Sequence, residues 1–199
     1  MPVHVWRPPL TVRFTFDDSS VELIPLDNRH REVLADAFED LSERSRYLRF
    51  MAPMPGLSPS DLTYLTDLDM TDHFAWGVLV DDRPAAVGRY AKTGPTTAEV
   101  AITVLDEFQG RRLGSLLIEV LAVVAAEADI STLEFEVLSE NEAMLRILER
   151  FGAKLTPDSG VVHAELAIAA LPEPPLSSSQ LLDTVAMARR EGSRGPRSG

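Results

Sequence analysis

The chain has 199 residues, 45% hydrophobic and 25% charged, with no cysteine and a net charge of −12 at neutral pH. These figures suit one globular domain with appendages, and they exclude disulfides, cysteine nucleophiles and thiolate metal sites. An anionic body argues against general nucleic-acid binding, which needs basic surface to displace counterions.

The opening MPVHVWRPPL has no apolar signal core, and the most apolar run, LLIEVLAVVAAEA, is interrupted by Glu119 and Glu127. No segment suits a bilayer, so a cytoplasmic protein without a membrane partner is expected. LTVRFTF and VELIPL flank the polar DDSS and predict a hairpin, with Val12, Phe14 and Phe16 on one face. DNRHREVLADAFEDL places Val33, Leu34, Ala37, Phe38 and Leu41 on one helical stripe. SERSRYLRF reads as a second short helix and MAPMPGL as a loop. SPSDLTYL opens a third helix, with Ser58 as cap, Pro59 in the first turn and Asp61 near the positive end.

HFAWGVLV and AAVGRYA around DDRP predict a second hairpin. AEVAITVL is a strand, RRLGSLLIEVLAVVAAEAD a long helix, LEFEV a strand, NEAMLRILERF a helix closed by Gly152, and GVVHAELAI a last strand. PEPPLSSS is linker-like and EGSRGPRSG reads as disordered. Between them QLLDTVAMARR can form a short helix. The expected division is an N-terminal extension with a strand (1–20), one domain (21–171), and a tail (172–199) with a possible helix over 178–190. Nothing after Leu171 reads as core, so a chain ending there is expected to fold. The element order predicts an α+β or mixed α/β domain on one central sheet, with a site near its strand ends.

FQGRRLGSLL lies where a strand meets the long helix. The first amides of a helix lack internal partners and carry the positive end of its dipole, which makes an anion site. Gly110 and Gly114 remove side chains from the approach, and Arg111 and Arg112 add charge. The turn therefore suits a polyphosphate; the same spacing also fits a tight connection with exposed arginines. Neither GxxxxGK[ST] nor GxGxxG occurs.

Gln109-Gly110-Arg111-Arg112-Leu113-Gly114 resembles the (Q/R)xxGx(G/A) signature of the GNAT superfamily of acetyltransferases. SENEAMLRILERFGAKL resembles that family's NxxxxxLYxxxGF segment. LSERSRYLRF followed by LSPSDL is similar to the Pat-like bacterial protein-lysine acetyltransferases. The resemblance implies a GNAT-like α+β fold with a mostly antiparallel central sheet flanked by helices, and acetyl-CoA as co-substrate. It carries cofactor contacts onto Gln109, Gly110, Arg111, Arg112, Leu113, Gly114, Ser115 and Asn141, with Ile102, Thr103 and Val104 holding the thioester oxygen and pantetheine. Two departures stand out. Arg112 replaces the signature's middle glycine, which is harmless at negative φ and obstructive at positive φ. Leu148 stands where many members have a tyrosine that protonates the thiolate.

Transfer to an amine needs the neutral amine. A lysine-like pKa of about 10.4 leaves roughly 4.6 kcal/mol to overcome at pH 7, so a base is useful. Glu99 is the sole ionisable group inside AEVAITV, on one face with Ala101 and Thr103. The resemblance puts a base glutamate there; a salt-bridged edge glutamate is the other reading. His4, His30, His73 and His163 show no ligand spacing, so no metal is expected. Asp69 and His73 form a possible acceptor-side pair or ordinary loop packing. Arg44, Arg46, Tyr47 and Arg49 line an acceptor cleft or form a solvated face. The resulting reading is an acetyl-CoA-dependent N-acetyltransferase, monomeric or homodimeric. Its acceptor would be a protein lysine or a small amine, and a non-catalytic acyl-CoA-binding regulator is the alternative.

Overall fold

The computed structural model describes residue 7 and residues 11–192. His4 and 193–199 lie outside the described residues; of the segment read as disordered, 191–199, the first two residues end the last helix. Val12–Phe16 (β1) and Ser19–Pro25 (β2) form the first hairpin, and His73–Val80 (β3) and Arg83–Lys92 (β4) the second. Both turn on aspartate pairs at positive φ, Asp17–Asp18 and Asp81–Asp82. Two such residues give the turn whose twist matches the flanking strands, and aspartate enters that region at low cost.

Between the hairpins lie three short helices, Arg31–Glu39 (α1), Glu43–Phe50 (α2) and Pro59–Thr66 (α3). Then come Thr97–Val104 (β5), Leu113–Ala126 (α4), Thr132–Leu138 (β6), Glu142–Arg150 (α5), Lys154–Asp158 (β7), Val161–Ala167 (β8) and Ser178–Gly192 (α6). This is an α+β fold on one eight-stranded sheet of order β1-β2-β3-β4-β5-β6-β8-β7. Among the described strands, neighbours are antiparallel except β5 and β6.

α4 lies against the middle of the sheet and is buried along most of its length. It approaches β4 so closely that a Cβ on Gly88 would sit 3.0 Å from Leu117 Cδ2 and 3.1 Å from Leu121 Cδ1. α1, α2 and α3 cover the opposite face, where Val87 and Arg89 of β4 and Ala101 and Thr103 of β5 point.

Three sequence expectations change. β7 has no counterpart among the expected strands; it holds Pro157 because a sheet edge tolerates proline, having no ladder partner on its outer side. A boundary at residue 20 falls inside β2, and β1 is an integral strand of the sheet. The tail also contributes to the core: Leu181, Val185 and Ala188 of α6 are buried with α4 and the first hairpin. Arg189 anchors the helix by donating to the Met70 carbonyl at 2.8 and 2.6 Å. The apolar spacing in QLLDTVAMARR is the signal for this, but it is too short to say what it packs on.

Leu181→Ala is accordingly expected to lose about 2–5 kcal/mol and to lower the melting temperature by several degrees. A chain ending at Leu171 should be insoluble or molten. Thermal denaturation followed by circular dichroism checks both.

Candidate active site

β5 and β6 pair in parallel only from Thr97–Thr132 to Glu99–Glu134. Beyond that the strands diverge. β5 continues to Val104 against β4, and β6 to Leu138 against β8. From Val100 to Val104 the edge of β5 facing β6 therefore has no strand partner, and its backbone groups are available to a ligand. The divergence opens a cleft of about 450 Å³. Ile102, Thr103 and Val104 line it from β5, and Asn141, Met144, Ile147 and Arg150 from the α5 side.

The turn before α4 closes one end of this cleft, contributing Gln109, Gly110, Arg112, Leu113, Gly114 and Ser115. α2, α3 and α5 carry side-chain N-caps from Ser42, Ser58 and Asn141, whereas α4 has none. Its first-turn amides are left for an anion. Gly110 has φ +76° and nothing within 4 Å of where a Cβ would lie. A Cβ added at Gly114 would lie 3.3 Å from Ile147 Cδ1, so a larger residue there would crowd the cleft wall.

Arg112 is left-handed, φ 61° and ψ 8°, a backbone that costs a non-glycine residue roughly 1–2 kcal/mol. Its guanidinium lies 5.6 Å from the Phe16 ring, a cation–π contact. Arg150 donates to Ser115 Oγ. Burial pushes the Glu119 carboxyl up, and Arg112 and Arg150 act in the opposite direction. Arg111 is exposed, does not line the cleft, and stacks over Phe108.

The turn is tied to α2. Asp106 accepts from Ser42 N at 3.0 Å, Ser42 Oγ at 2.8 Å and Ser45 Oγ at 2.8 Å. Burial opposes this carboxylate, but those bonds outweigh it and hold its pKa below the ordinary value. Gln109 Nε2 donates to Ser45 Oγ at 3.2 Å and the Val104 carbonyl at 3.3 Å.

On the other face of β5 is a second cavity of about 210 Å³ that contains Glu99 with Arg49, Asp61, Tyr64, Arg89 and Ala101. Glu99 is exposed into it. Arg49 lines both this cavity and the cleft. Burial and the Arg89 cation bring Arg49 down to about 10, against the pull of Glu99 and Tyr64. Arg89 is buried with its guanidinium 4.3 Å from the Tyr64 ring. The rest of the basic helix does other work: Arg46 donates to the Leu41, Pro55 and Glu39 carbonyls, and Arg44 pairs with Glu140 at 2.9 Å. Asp69 and His73 do not form a side-chain pair. Asp69 Oδ1 accepts from the backbone amides of Thr71, Asp72 and His73, as in ordinary loop packing.

The sequence profile described as the Acetyltransferase (GNAT) family matches residues 35–153, well over half of the chain. The chain belongs to the GNAT acetyltransferase family.

It is 34% identical over 161 residues to the acetyltransferase Pat of Mycolicibacterium smegmatis, covering 76% of this chain and 46% of that protein. It is 32% identical over 117 residues to an acetyltransferase of Pseudomonas aeruginosa, covering 56% and 63%. The chain thus spans about half to two thirds of the length of these relatives. The crystal structure of the GNAT domain of S. lividans PAT superimposes with a TM-score of 0.75 at 30% identity, covering 79% of this chain and 96% of that one.

Of the GNAT residues anticipated from sequence, Ile102 to Val104, Gln109, Gly110, Arg112 to Ser115 and Asn141 gather in one cleft, and Arg111 falls outside it. Glu99 sits across β5 in the neighbouring cavity. Leu148, at the family's tyrosine position, is fully buried and offers no proton. Sequence reasoning missed Arg146 and Arg150, which α5 turns toward the cleft. Their i, i+4 spacing is the available signal, but the sequence does not say which way that face points. Among the described residues, no group of three His, Asp or Glu side chains is placed to hold a metal, and no helix is long and apolar enough to cross a membrane.

Two outcomes follow. Arg112→Asp should weaken CoA binding at least about tenfold, or about 1.4 kcal/mol, because aspartate keeps the left-handed backbone and reverses the charge. Arg111→Asp should change binding much less, and calorimetry separates the two. The second concerns His73, whose pKa burial and Arg89 lower from 6.5 to about 4 against Asp69 and Asp67. The unfolded chain then binds a proton that the folded one refuses between about pH 6.5 and 4, so stability falls as pH falls through that window. Melting curves from pH 7 to 4.5 should show this decline, and His73→Gln should flatten it.

Proposed function

We propose that the chain transfers an acetyl group from acetyl-CoA directly to a primary amine, with a protein lysine as the leading acceptor. The observation carrying this reading is that β5 has a cavity on each side. One is a cleft with an unpaired strand edge and an uncapped helix start. The other contains the carboxylates of Glu99 and Asp61, and Arg49 and β5 itself separate the two. A long, flexible thioester bearing a pyrophosphate suits the first, and an amine suits the second. The lysine assignment rests on similarity to the Pat proteins. Pantetheine amides would complete the free edge of β5, the α4 amides with Arg112 and Arg150 would meet the phosphates, and backbone donors of β5 would polarise the thioester carbonyl.

Arg49 and Arg89 border the cavity where the amine would enter. Two cations disfavour an ammonium and so help the substrate shed its proton; Asp61 is engaged by Ser58 N and Oγ, which leaves Glu99 to take it, directly or through water. The nitrogen lone pair forms the new C–N bond, the C–S bond breaks, and the thiolate leaves with the electron pair. A thiol pKa of about 8.5 lets that departure proceed without an acid at position 148. The buried Leu148 is also what favours the second reading, an acyl-CoA-binding regulator without turnover.

Release of CoA with acetylation of a lysine peptide, followed by mass spectrometry against a panel of small amines, distinguishes the readings and ranks the acceptors. Glu99→Gln should reduce turnover by about 10²–10⁴-fold with acetyl-CoA affinity nearly unchanged. The deficit should narrow as pH rises and the amine loses its proton unaided. Parallel pH–rate profiles for wild type and variant would move the base elsewhere.

A further inference from the structure

Arg89 is only 6% exposed, yet it lines the Glu99 cavity together with the half-buried Arg49. Each guanidinium lies over an aromatic ring, Arg89 4.3 Å from the centre of Tyr64 and Arg49 4.9 Å from that of Phe50. Among the described residues, neither has a hydrogen-bond or ion-pair partner. The earlier arginines of α2 do: Arg44 pairs with Glu140 and Arg46 with Glu39. A third cavity, of about 70 Å³ between the sheet and α1–α3, is lined by Arg49 and Arg89 again and by no carboxylate.

Buried charges are ordinarily paired. The carboxylates of the Glu99 cavity do not supply the pairing. Asp61 accepts from Ser58 N and Oγ, and Glu99 forms no ion pair with either arginine. Across the sheet Arg89 stands opposite Ala101, and Ala91 opposite Glu99. Arg89 and Glu99 are therefore diagonal neighbours, roughly 7–8 Å apart for such positions. The other two corners are alanines, whose small side chains leave the space between carboxylate and guanidinium open. The cavity of about 210 Å³ lies there. Burial and then the Arg89 cation lower Arg49 to about 10, and an anion beside the two acts against that.

We infer that Arg49 and Arg89 bind a carboxylate carried by the acceptor, so that the preferred acceptor is an amine with an acidic group close by. That group is an aspartate or glutamate flanking the acceptor lysine, or the carboxylate of a small amino acid. The inference rests on the reading of the Glu99 cavity as the acceptor site. Arginine's planar fork donates two parallel N–H bonds to a carboxylate, and a ring contact does not replace them. One carboxylate against two guanidiniums leaves a net positive charge, so the amine at the Glu99 end is still discouraged from keeping its proton. The rest of the molecule works the other way. The chain carries a net charge of −12, a field that attracts basic acceptors in general. A preference for an acidic flank is therefore a local property of the arginine pair.

The test compares two lysine peptides that differ only in having Asp or Asn on both sides of the lysine, and γ-aminobutyrate with butylamine. Wild type should favour the carboxylate-bearing member of at least one pair about tenfold or more in kcat/KM, chiefly through KM. Preference within the peptides assigns the anion to an acidic flank, and preference within the small amines assigns it to a small acceptor. Arg89→Met, uncharged and of similar length, should bring the ratio to within about twofold whatever the variant's absolute rate. Arg89→Lys should retain part of it. Arg49→Met gives the same readout if the Arg89 variants do not fold. Equal rates within both pairs in wild type overturn the inference and leave the proposed function standing. So does a preference that survives in both methionine variants. If no amine is acetylated, the catalytic reading fails. Calorimetry of the same peptides with CoA present then decides the site: several-fold tighter binding of the Asp peptide supports it, and equal affinities overturn it.

Discussion

The separation of β5 from β6 is the constraint on which the rest of the site depends. Parallel strands need a crossover, here α4, and they pair for only three residues on each side before diverging. A fully zipped pair would satisfy the backbone of β5 internally and leave no cleft. The break leaves one strand edge without a partner inside the fold, a state that buried backbone groups do not tolerate without a ligand or water. The same divergence brings the start of α4 to the end of the cleft, so the free edge and the free helix amides face one space.

α2 organises both sides of that space. Its N-terminus is fixed to the turn before α4 through Ser42, Ser45 and Asp106, and Arg44 reaches Glu140 beside α5. Its last turn delivers Arg49 to the junction of all three cavities. A shift of α2 would therefore alter all three cavities together. The left-handed Arg112 shows a related economy: the turn needs positive φ, and the residue that accepts this strain brings a cation to the cleft.

α6 extends the core beyond the family's matched region, 35–153. It covers the face of the sheet that carries α4 and ties itself by Arg189 to the Met70 carbonyl. That loop leads into His73, whose ring meets Tyr64 at 5.4 Å beside Arg89. The wall of the Glu99 cavity thus leans on a helix distant in sequence.

Much was legible in the residues alone. Alternation in LTVRFTF and AEVAITV marked strands, the apolar run HFAWGVLV with AAVGRYA around DDRP marked a hairpin, the long apolar run in RRLGSLLIEVLAVVAAEAD marked α4, and glycine spacing with two arginines marked the turn, because these signals are local and depend only on backbone period and side-chain bulk. The alternation of β5 also separated Glu99, Ala101 and Thr103 from Val100, Ile102 and Val104 before any fold was known. Tertiary structure alone decided the φ of Arg112, the exclusion of Arg111 from the cleft, the turn of Arg146 and Arg150 toward it, and the burial of Leu181 and Val185. It also decided β7, where Pro157 is tolerated because the strand lies at an edge. Each of these depends on what lies across from a residue, and that is set by the packing of elements far apart in the chain, on which local periodicity carries no information.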